Sequence, residues 1–573
     1  MEGEREAVTR PATLAIFVFF ALALAAAPQT PVILISIDTL RADRVGVYGS
    51  RGVPTPGIDA FAPGGTLFGA AEAQVPLTLP SHTSLLTSTY PFQTGVEENA
   101  EHVPANLATL AEALHEHGYQ TAAFIGSVFL ERQLGLDRGF DFYDSPFQFD
   151  AFSPLSGEIL FVGARSNRLA VRDRRDGNLV VRAAERWLDE RRGQPVFAFV
   201  HLFDLHAPYA LPAGFRRPPG LSDYAAQLVY ADRVVGAFRE ALIRGGWWDR
   251  SLVILISDHG EGLGDHGENS HGSFVYESTL HVPLILHWPS GTAPLGVRDD
   301  RPVGLIDVAP SILDFLRIPA PPSFVGISLL GQERRPVYSE SMHTRDAFGW
   351  APLRALRSGA FKYIDAPGPE LYDLEHDPGE TLNLAKTDPA RAQALRAEMS
   401  RLLVHYRAAE SHAGPAPPQN EALLRSLGYL SRGPRNRSAE TAPPDPKNRL
   451  AELHLYEKSE DAVNAGRMSE ALAFLNRVLA EDPQNTLARR DLGMVYVTGA
   501  NFAQARACFE KVLAAAPDDY LSQYELGIVY GRLGQRKEAL DHLQIACELA
   551  PLSEPCRAEL EKLKRPAAPA ANR

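Results

Sequence analysis

Cysteine is nearly absent from this chain: Cys508, Cys547 and Cys556 are its only three, and none precedes position 508. Everything N-terminal to Cys508 therefore has no disulfide framework and no thiolate nucleophile. Cys547 and Cys556, nine residues apart across a helix boundary, can pair in an oxidising compartment. A basic excess is also missing. The 57 Lys and Arg stand against 70 Asp and Glu, a formal net charge of −13, which argues against nucleic acid as the main partner. Long apolar runs are scarce too. Ala12 to Ala27 falls short of the ~20 residues of a membrane span but suits the apolar region of an export signal, with Ala23-Leu24-Ala25 as cleavage site. The acidic start Glu2-Gly-Glu-Arg-Glu and Pro28 after Ala27 leave an uncleaved anchor as the alternative. Either way the bulk of the chain is expected outside the cytoplasm, periplasmic or extracellular, with membrane attachment through residues 1–28 as an option.

What is present is ordinary globular protein. A 45% hydrophobic and 22% charged composition over 573 residues predicts two to four domains. Pro31-Val-Ile-Leu-Ile-Ser-Ile37 and Ser251-Leu-Val-Ile-Leu-Ile256 are continuous apolar runs, the pattern of strands buried on both faces. Thr121 to Ile125, Pro195 to Val200 and Val282 to Leu286 read as further strands. Helical patterns lie between them at Leu107–His117, Leu179–Arg192 and Tyr224–Arg244. This alternation predicts an α/β domain over 29–412, with a mostly parallel sheet and helices on both faces.

From Ala413 to Lys447 the composition turns to Pro, Gly, Ser and Asn, a linker. Beyond it Pro483, Pro517 and Pro551 recur every 34 residues, as do Ala471, Ala505 and Ala539. Gly493 and Gly527 keep the same interval, and so do Tyr496 and Tyr530. That period is the tetratricopeptide pattern, so 448–562 is read as three all-α repeats, followed by a disordered tail at 563–573. Stacked repeats form a concave surface for docking a protein partner.

Chemistry gathers at strand ends. Asp38, the pair Asp258-His259, and His206 after the strand that runs on to His201 all sit where open α/β sheets bind ligands. Asp and His with a hydroxyl make a mixed O/N set suited to one divalent cation, Zn²⁺, Mn²⁺, Mg²⁺ or Ca²⁺. Sequence alone does not say whether these strands are neighbours. The hydroxyl is offered by Thr78 in Val75-Pro-Leu-Thr-Leu-Pro-Ser-His82, where a loop becomes a helix. Pro80 suits a first helical position, and the helix amides after it would seat an anion.

With these residues in view, 31 to about 410 resembles the sulfatase-like branch of the alkaline-phosphatase superfamily. Val32 to Asp43 resembles its first metal-binding strand, Thr78-Leu-Pro-Ser-His82 its C/S-x-P-S-R nucleophile motif, and Phe199 to Tyr209 its central histidine segment. Ser257-Asp-His-Gly260 with Ser270-His-Gly272 resembles its second metal segment, and Glu370 to Leu384 its small C-terminal subdomain. The resemblance implies metal ligands at Asp38, Asp258 and His259, Thr78 as nucleophile and fourth ligand, and His206 and His271 near the ester oxygens. There are departures. Thr78 stands where sulfatases carry the Cys or Ser that matures to formylglycine, so no formylglycine is expected. His82 replaces an arginine, and Gly126-Ser-Val-Phe129 replaces a Gly-Lys-Trp-His segment.

Three functions compete. Threonine at 78 favours a metal-dependent hydrolase or transferase of a phosphate ester, a diester first of all. Thr78 would attack, His82 and the helix amides would hold oxygens, and His206 or His271 would protonate the leaving group. The second reading is a sulfuric ester hydrolase using unmodified Thr78, acting on a small-molecule, lipid or glycan ester. The third is a non-catalytic binding module in which the repeats carry the function. Phe140–Arg165 and Ser339–Trp350 are expected to wall the pocket.

Overall fold

The computed structural model describes residues 29–99, 101–147, 174–292, 296–407, 442–549 and 554–565. The expected export segment, linker residues 413–441, pocket-wall residues 148–165, Pro551 and the tail from 566 lie outside them. Eight strands form the central sheet: β1 (Val32–Ile37), β2 (Gly65–Glu72), β3 (Gln120–Phe124), β4 (Phe142–Asp144), β5 (Val196–Leu202), β6 (Leu252–Ile256), β7 (His281–His287) and β8 (Val297–Gly304). Their order is β4-β3-β5-β1-β6-β7-β2-β8. All pairs are parallel except β6–β7 and β2–β7.

The apolar strands are buried on both faces, as their sequences require. Val32 and Leu34 of β1 enter one core with Phe197, Phe199, Leu252 and Ile254. Ile33, Ile35 and Ile37 enter another with Ala198, Val200, Val253 and Leu255. On the first face lie α1 (Thr78–Thr87) and α2 (Leu110–Glu116). On the second lie α3 (Gly177–Asp189) and α4 (Asp223–Arg244). The decisive fact for function is the adjacency β5-β1-β6. It brings the carboxyl ends that carry His201, Asp38 and Asp258 side by side.

A second sheet of four antiparallel strands, in the order β12-β11-β10-β9, comprises β9 (Val337–Ser341), β10 (Leu353–Ser358), β11 (Phe361–Asp365) and β12 (Glu370–Asp373). A buried ionic network ties it to the first. Arg357 reaches Glu72 at 2.9 Å and Glu277 at 3.1 Å, while Lys362 reaches Glu277 at 2.9 Å and Glu380 at 3.0 Å. Lys362 is fully buried. A Lys362→Met variant leaves Glu277 and Glu380 facing each other without their shared cation. It is expected to lose about 3–5 kcal/mol of stability, read from urea unfolding. A loss under about 1 kcal/mol would show that the network is solvated or dispensable.

The C-terminal array runs through α5 (Leu450–Asn464), α6 (Met468–Glu481), α7 (Thr486–Thr498), α8 (Phe502–Ala515), α9 (Tyr520–Arg532), α10 (Arg536–Leu549) and α11 (Glu554–Lys564). The 34-residue signals have direct structural causes. Ala471, Ala505 and Ala539 are fully buried at helix contacts. A Cβ on Gly493 would lie 2.8 Å from the Phe509 ring, and one on Gly527 2.6 Å from Leu543, so each repeat needs glycine for close helix approach. Cys547 and Cys556 form a disulfide, and Cys508 is buried and free. No described helix is long and apolar enough to cross a membrane.

Candidate active site

Asp38 follows β1 directly, and Thr39 after it takes a left-handed φ of 55°, an unusual conformation for a β-branched residue. Neighbouring segments hold this turn. The Ser257 hydroxyl accepts from Leu40 N–H at 2.9 Å and donates to the His259 carbonyl at 2.7 Å. Tyr224 of α4 donates to the Thr39 carbonyl at 2.9 Å. Ser81 of α1 donates to the Asp258 carbonyl at 2.7 Å. Four segments distant in sequence are thereby fixed to one another.

Thr78 opens α1, and all ten residues of that helix are buried. Two of its buried threonine hydroxyls bond back one turn: Thr83 donates to the Leu79 carbonyl at 2.8 Å and Thr87 to the Thr83 carbonyl at 2.6 Å. Thr78 instead donates to Asp38 Oδ2 at 3.2 Å. Pro80 lies third in the helix rather than first, still within the turn where a missing N–H costs nothing. The expected anion seat is reduced. Leu79 N–H is taken by Asn99 at 2.9 Å, Ser81 N–H by the Leu77 carbonyl at 3.0 Å, and Pro80 has none.

Asp38, Asp258 and His259 can each turn one ligand atom within 4.8 Å of the others. All three side chains are fully buried, and Asp38 Oδ1, Asp258 Oδ2 and His259 Nε2 lack hydrogen-bond partners. Orphaned buried polar atoms facing one another fit a cation. The electrostatics agree: burial, then the charge of Asp38, drives the Asp258 carboxyl well above its ordinary range, a repulsion that a cation shared by the two carboxylates would relieve. Burial also pushes the His259 imidazole down to about 3, leaving it neutral and able to ligate. Two carboxylates, an imidazole and the Thr78 hydroxyl suit Zn²⁺ or Mn²⁺ at least as well as Ca²⁺.

His82 departs from expectation. Its Nδ1 lies 2.7 Å from the Thr78 carbonyl and its Nε2 2.9 Å from Ser36 Oγ. Burial, then His201, lowers it to about 3. Both nitrogens are engaged, so no ring N–H is left for an ester oxygen. The shorter side chain stops at the sheet where the arginine of the family motif would extend further. A second grouping of His82, His201 and Asp258 meets the same distance condition, but His82 would have to give up one of its bonds to ligate.

His206 is partly exposed, while the His271 side chain is only 7% exposed. The His271 ring lies 4.4 Å from that of His259 and 5.0 Å from that of His206. His206 stacks on Phe203 at 4.4 Å and bonds the Ala207 carbonyl through Nδ1 at 2.7 Å. His271 Nδ1 lies 3.0 Å from Glu261 Oε1, and Tyr209 donates to Glu261 Oε2 at 2.9 Å. Burial alone would lower the His271 imidazole, but Glu261 beside it raises it above its ordinary value.

Two residues escaped the sequence. Glu261 sits in the Gly-rich run Gly260-Glu-Gly262 and reads as a loop residue. His201 was visible only as the end of a strand. It is fully buried, neither ring nitrogen has a hydrogen-bond partner, and Nε2 lies 3.6 Å from Asp38 Oδ2. The signal was a histidine inside an otherwise apolar strand.

Fold and site together define an ester hydrolase of the alkaline-phosphatase superfamily. The chain belongs to the sulfatase family: the Sulfatase family model matches residues 30–318, half of its length. The N-sulphoglucosamine sulphohydrolase C-terminal model matches 264–409, and a tetratricopeptide repeat model matches 462–525. The chain is 26% identical over 434 residues to the Delta 4,5-hexuronate-2-O-sulfatase of Bacteroides thetaiotaomicron, covering 65% of this chain and 88% of that protein. It is 24% identical over 442 residues to an arylsulfatase of Clostridium perfringens, covering 62% and 90%. The structure of the phosphonate monoester hydrolase of Agrobacterium radiobacter shares the fold, with a TM-score of 0.54 at 22% identity over 67% of this chain and 96% of that one.

Proposed function

We propose that this sulfatase-family hydrolase cleaves sulfuric esters through an unmodified Thr78, in preference to the phosphate diester that residue 78 first suggests. The observation that carries the reading is the Thr78 hydroxyl on Asp38, one side chain from Asp258 and His259, at the joined ends of β1 and β6. The relatives supply the ester class, and the Bacteroides sulfatase makes carbohydrate sulfates the first natural substrates to try.

Charge narrows the ester class. One divalent cation would balance Asp38 and Asp258, and Glu261 pairs with His271. With these charges matched, and Arg174 engaged by the His206 and Ala207 carbonyls at 3.1 and 2.7 Å, the set suits an ester of single negative charge better than a dianionic phosphate monoester. Asp38, Asp258, His259 and Thr78 would hold the cation, which would lower the pKa of a bound hydroxyl and offset charge on the ester oxygens.

The chain's own residues do the rest. Thr78 directs its hydroxyl hydrogen to Asp38, leaving its lone pairs for the entering sulfur. His206, which is partly exposed, marks the side from which the ester enters. As the Thr78 O–S bond forms, Asp38 takes the Thr78 hydroxyl proton, the ester S–O bond breaks, and His271, held by Glu261, gives its proton to the leaving alkoxide. Water then attacks the sulfur and gives a proton to His271, the Thr78 O–S bond breaks as Asp38 returns its proton to Thr78 Oγ, and sulfate leaves, losing its remaining proton to solvent. Aryl sulfate turnover with Zn²⁺, Mn²⁺, Mg²⁺ or Ca²⁺ tests this. It is expected to exceed aryl phosphate turnover by at least about 100-fold in kcat/KM. No aryl sulfate turnover with any of the four ions would overturn the reading.

A second reading keeps one specific observation. Thr78 is a free alcohol with an extra methyl, and a phosphate diester also carries a single negative charge. Phosphodiester transfer is therefore the alternative that the same site accommodates.

A further inference from the structure

Residues 262–270 form a tight hairpin between the metal-site strand β6 and β7. Gly262 N–H bonds the Ser270 carbonyl at 2.6 Å, Leu263 that of Asn269 at 3.2 Å, and Gly264 that of Glu268 at 2.8 Å. Its two ends are Glu261 and His271, which bond each other. The hairpin is thus the frame that aims His271 at the site. Leu263 and His266 hold left-handed φ values of 52° and 53°, so the turn depends on its surroundings to stay closed. On one side Arg41 holds it, donating to the Glu261 and Gly262 carbonyls at 3.0 and 3.1 Å and to Asp265 at 2.7 Å.

The other side is covered by the first repeat helix, α5. Leu450, His454 and Glu457 recur at i, i+4 and i+7 and so share one helix face. All three meet the hairpin. A Cβ on Gly267 would lie 2.9 Å from Leu450 Cδ1, so the leucine packs straight onto the tip. His454 Nε2 bonds the Gly267 carbonyl. Asn269 donates to Glu457 Oε2 at 2.7 Å. The helix is itself bolted elsewhere. Tyr456 packs edge-on to Phe348 at 5.4 Å, Ala351 N–H bonds the Pro444 carbonyl at 2.8 Å, and Lys447 pairs with Glu370 at 3.0 Å. Leu453 and Tyr456 belong to the same apolar core as β1 and β6. A helix anchored to the C-terminal subdomain and pressed on the hairpin tip is a strut.

We propose that α5 is a positioning element of the active site, with Leu450, His454 and Glu457 clamping the hairpin that orients Glu261 and His271. The repeat array is therefore joined to the chemistry through its first helix and is not a freely hung docking arm. The effect on turnover rests on the role given to His271 above; the clamp itself does not.

Two readouts in the full-length protein separate these. In a Leu450→Glu/His454→Ala variant, amide hydrogen exchange over 262–272 is expected to rise about tenfold or more, with β1 and β6 unchanged. On aryl sulfate, kcat is expected to fall about tenfold with KM within about twofold, because His271 is displaced while ester binding is kept. Leu450→Met, which keeps apolar cover, is expected to retain wild-type values in both. If the double variant loosens β1 and β6 as well, Glu457→Ala, which removes only the Asn269 contact, is expected to raise exchange in the hairpin alone. Unchanged hairpin exchange in a variant whose Leu450–Asn464 amides have become labile would overturn the clamp. Raised hairpin exchange with unchanged kcat would overturn its role in positioning His271. A wild-type protein inert on aryl sulfate would count against the proposed function and leave the exchange result to judge the clamp.

Discussion

Thr78→Ala is expected to lower kcat/KM on the preferred ester by about 10⁴-fold or more, while Thr78→Ser keeps measurable turnover. Thr78 is fully buried at the start of α1, and its hydroxyl is the one group of that helix directed at Asp38. Alanine keeps the helix and its neighbours, since Leu79 N–H stays with Asn99 and His82 stays on the residue 78 carbonyl. Loss of rate with the fold intact would then report the missing nucleophile. Steady-state kinetics beside a thermal unfolding trace separate the two. Full activity in the alanine variant would remove Thr78 from the chemistry.

The second large effect concerns the cation. Asp258→Ala removes a carboxylate whose Oδ2 has no protein partner and which lies between His82 Nδ1 and His259 Nε2, each at 3.5 Å. Affinity for the bound divalent ion is expected to fall by more than about 100-fold, beyond the 10–100-fold typical of losing a group that merely supports a ligand. Elemental analysis after dialysis against a weak chelator reads this directly. The variant is expected to lack the ion and still to fold, because alanine removes one of the two carboxylates that repel each other at the site. Retention of the ion at the wild-type level would place the site elsewhere.

Strand identity was legible where burial was complete. β1, β5 and β6 read as strands because both faces are apolar, and burial on both faces is what a parallel sheet core demands. β2 (Gly65–Glu72) was not, since its glycines and alanines carry little strand signal, and β8 (Val297–Gly304) was not, since an exposed edge admits Arg298, Asp299 and Asp300. Asp38, Asp258 and His259 were legible as polar residues ending apolar runs. Their convergence was not, because it depends on β1 lying between β5 and β6, an order that no local pattern carries.

His82 shows the opposite limit. A motif position suggested a group facing the ester, yet an imidazole between Ser36 and the Thr78 carbonyl is a packing element of the sheet and helix. Motif alignment gives position along the chain; reach and hydrogen-bond partners come only from the fold. The repeat array tells a similar story. Its period was plain in the alanines, glycines and prolines that recur every 34 residues, whereas Leu450, His454 and Glu457 of the first repeat helix face another domain and do not recur at that interval.

The most direct test of the account compares two esters of equal charge on one preparation. Aryl sulfate and bis-aryl phosphate would be assayed on the full chain loaded with each divalent ion, alongside Thr78→Ala as the background. A higher kcat/KM for the sulfate ester, lost in the alanine variant, is the predicted result. A higher kcat/KM for the phosphate diester, likewise lost in the variant, would contradict it and make this member of the sulfatase family a phosphodiesterase.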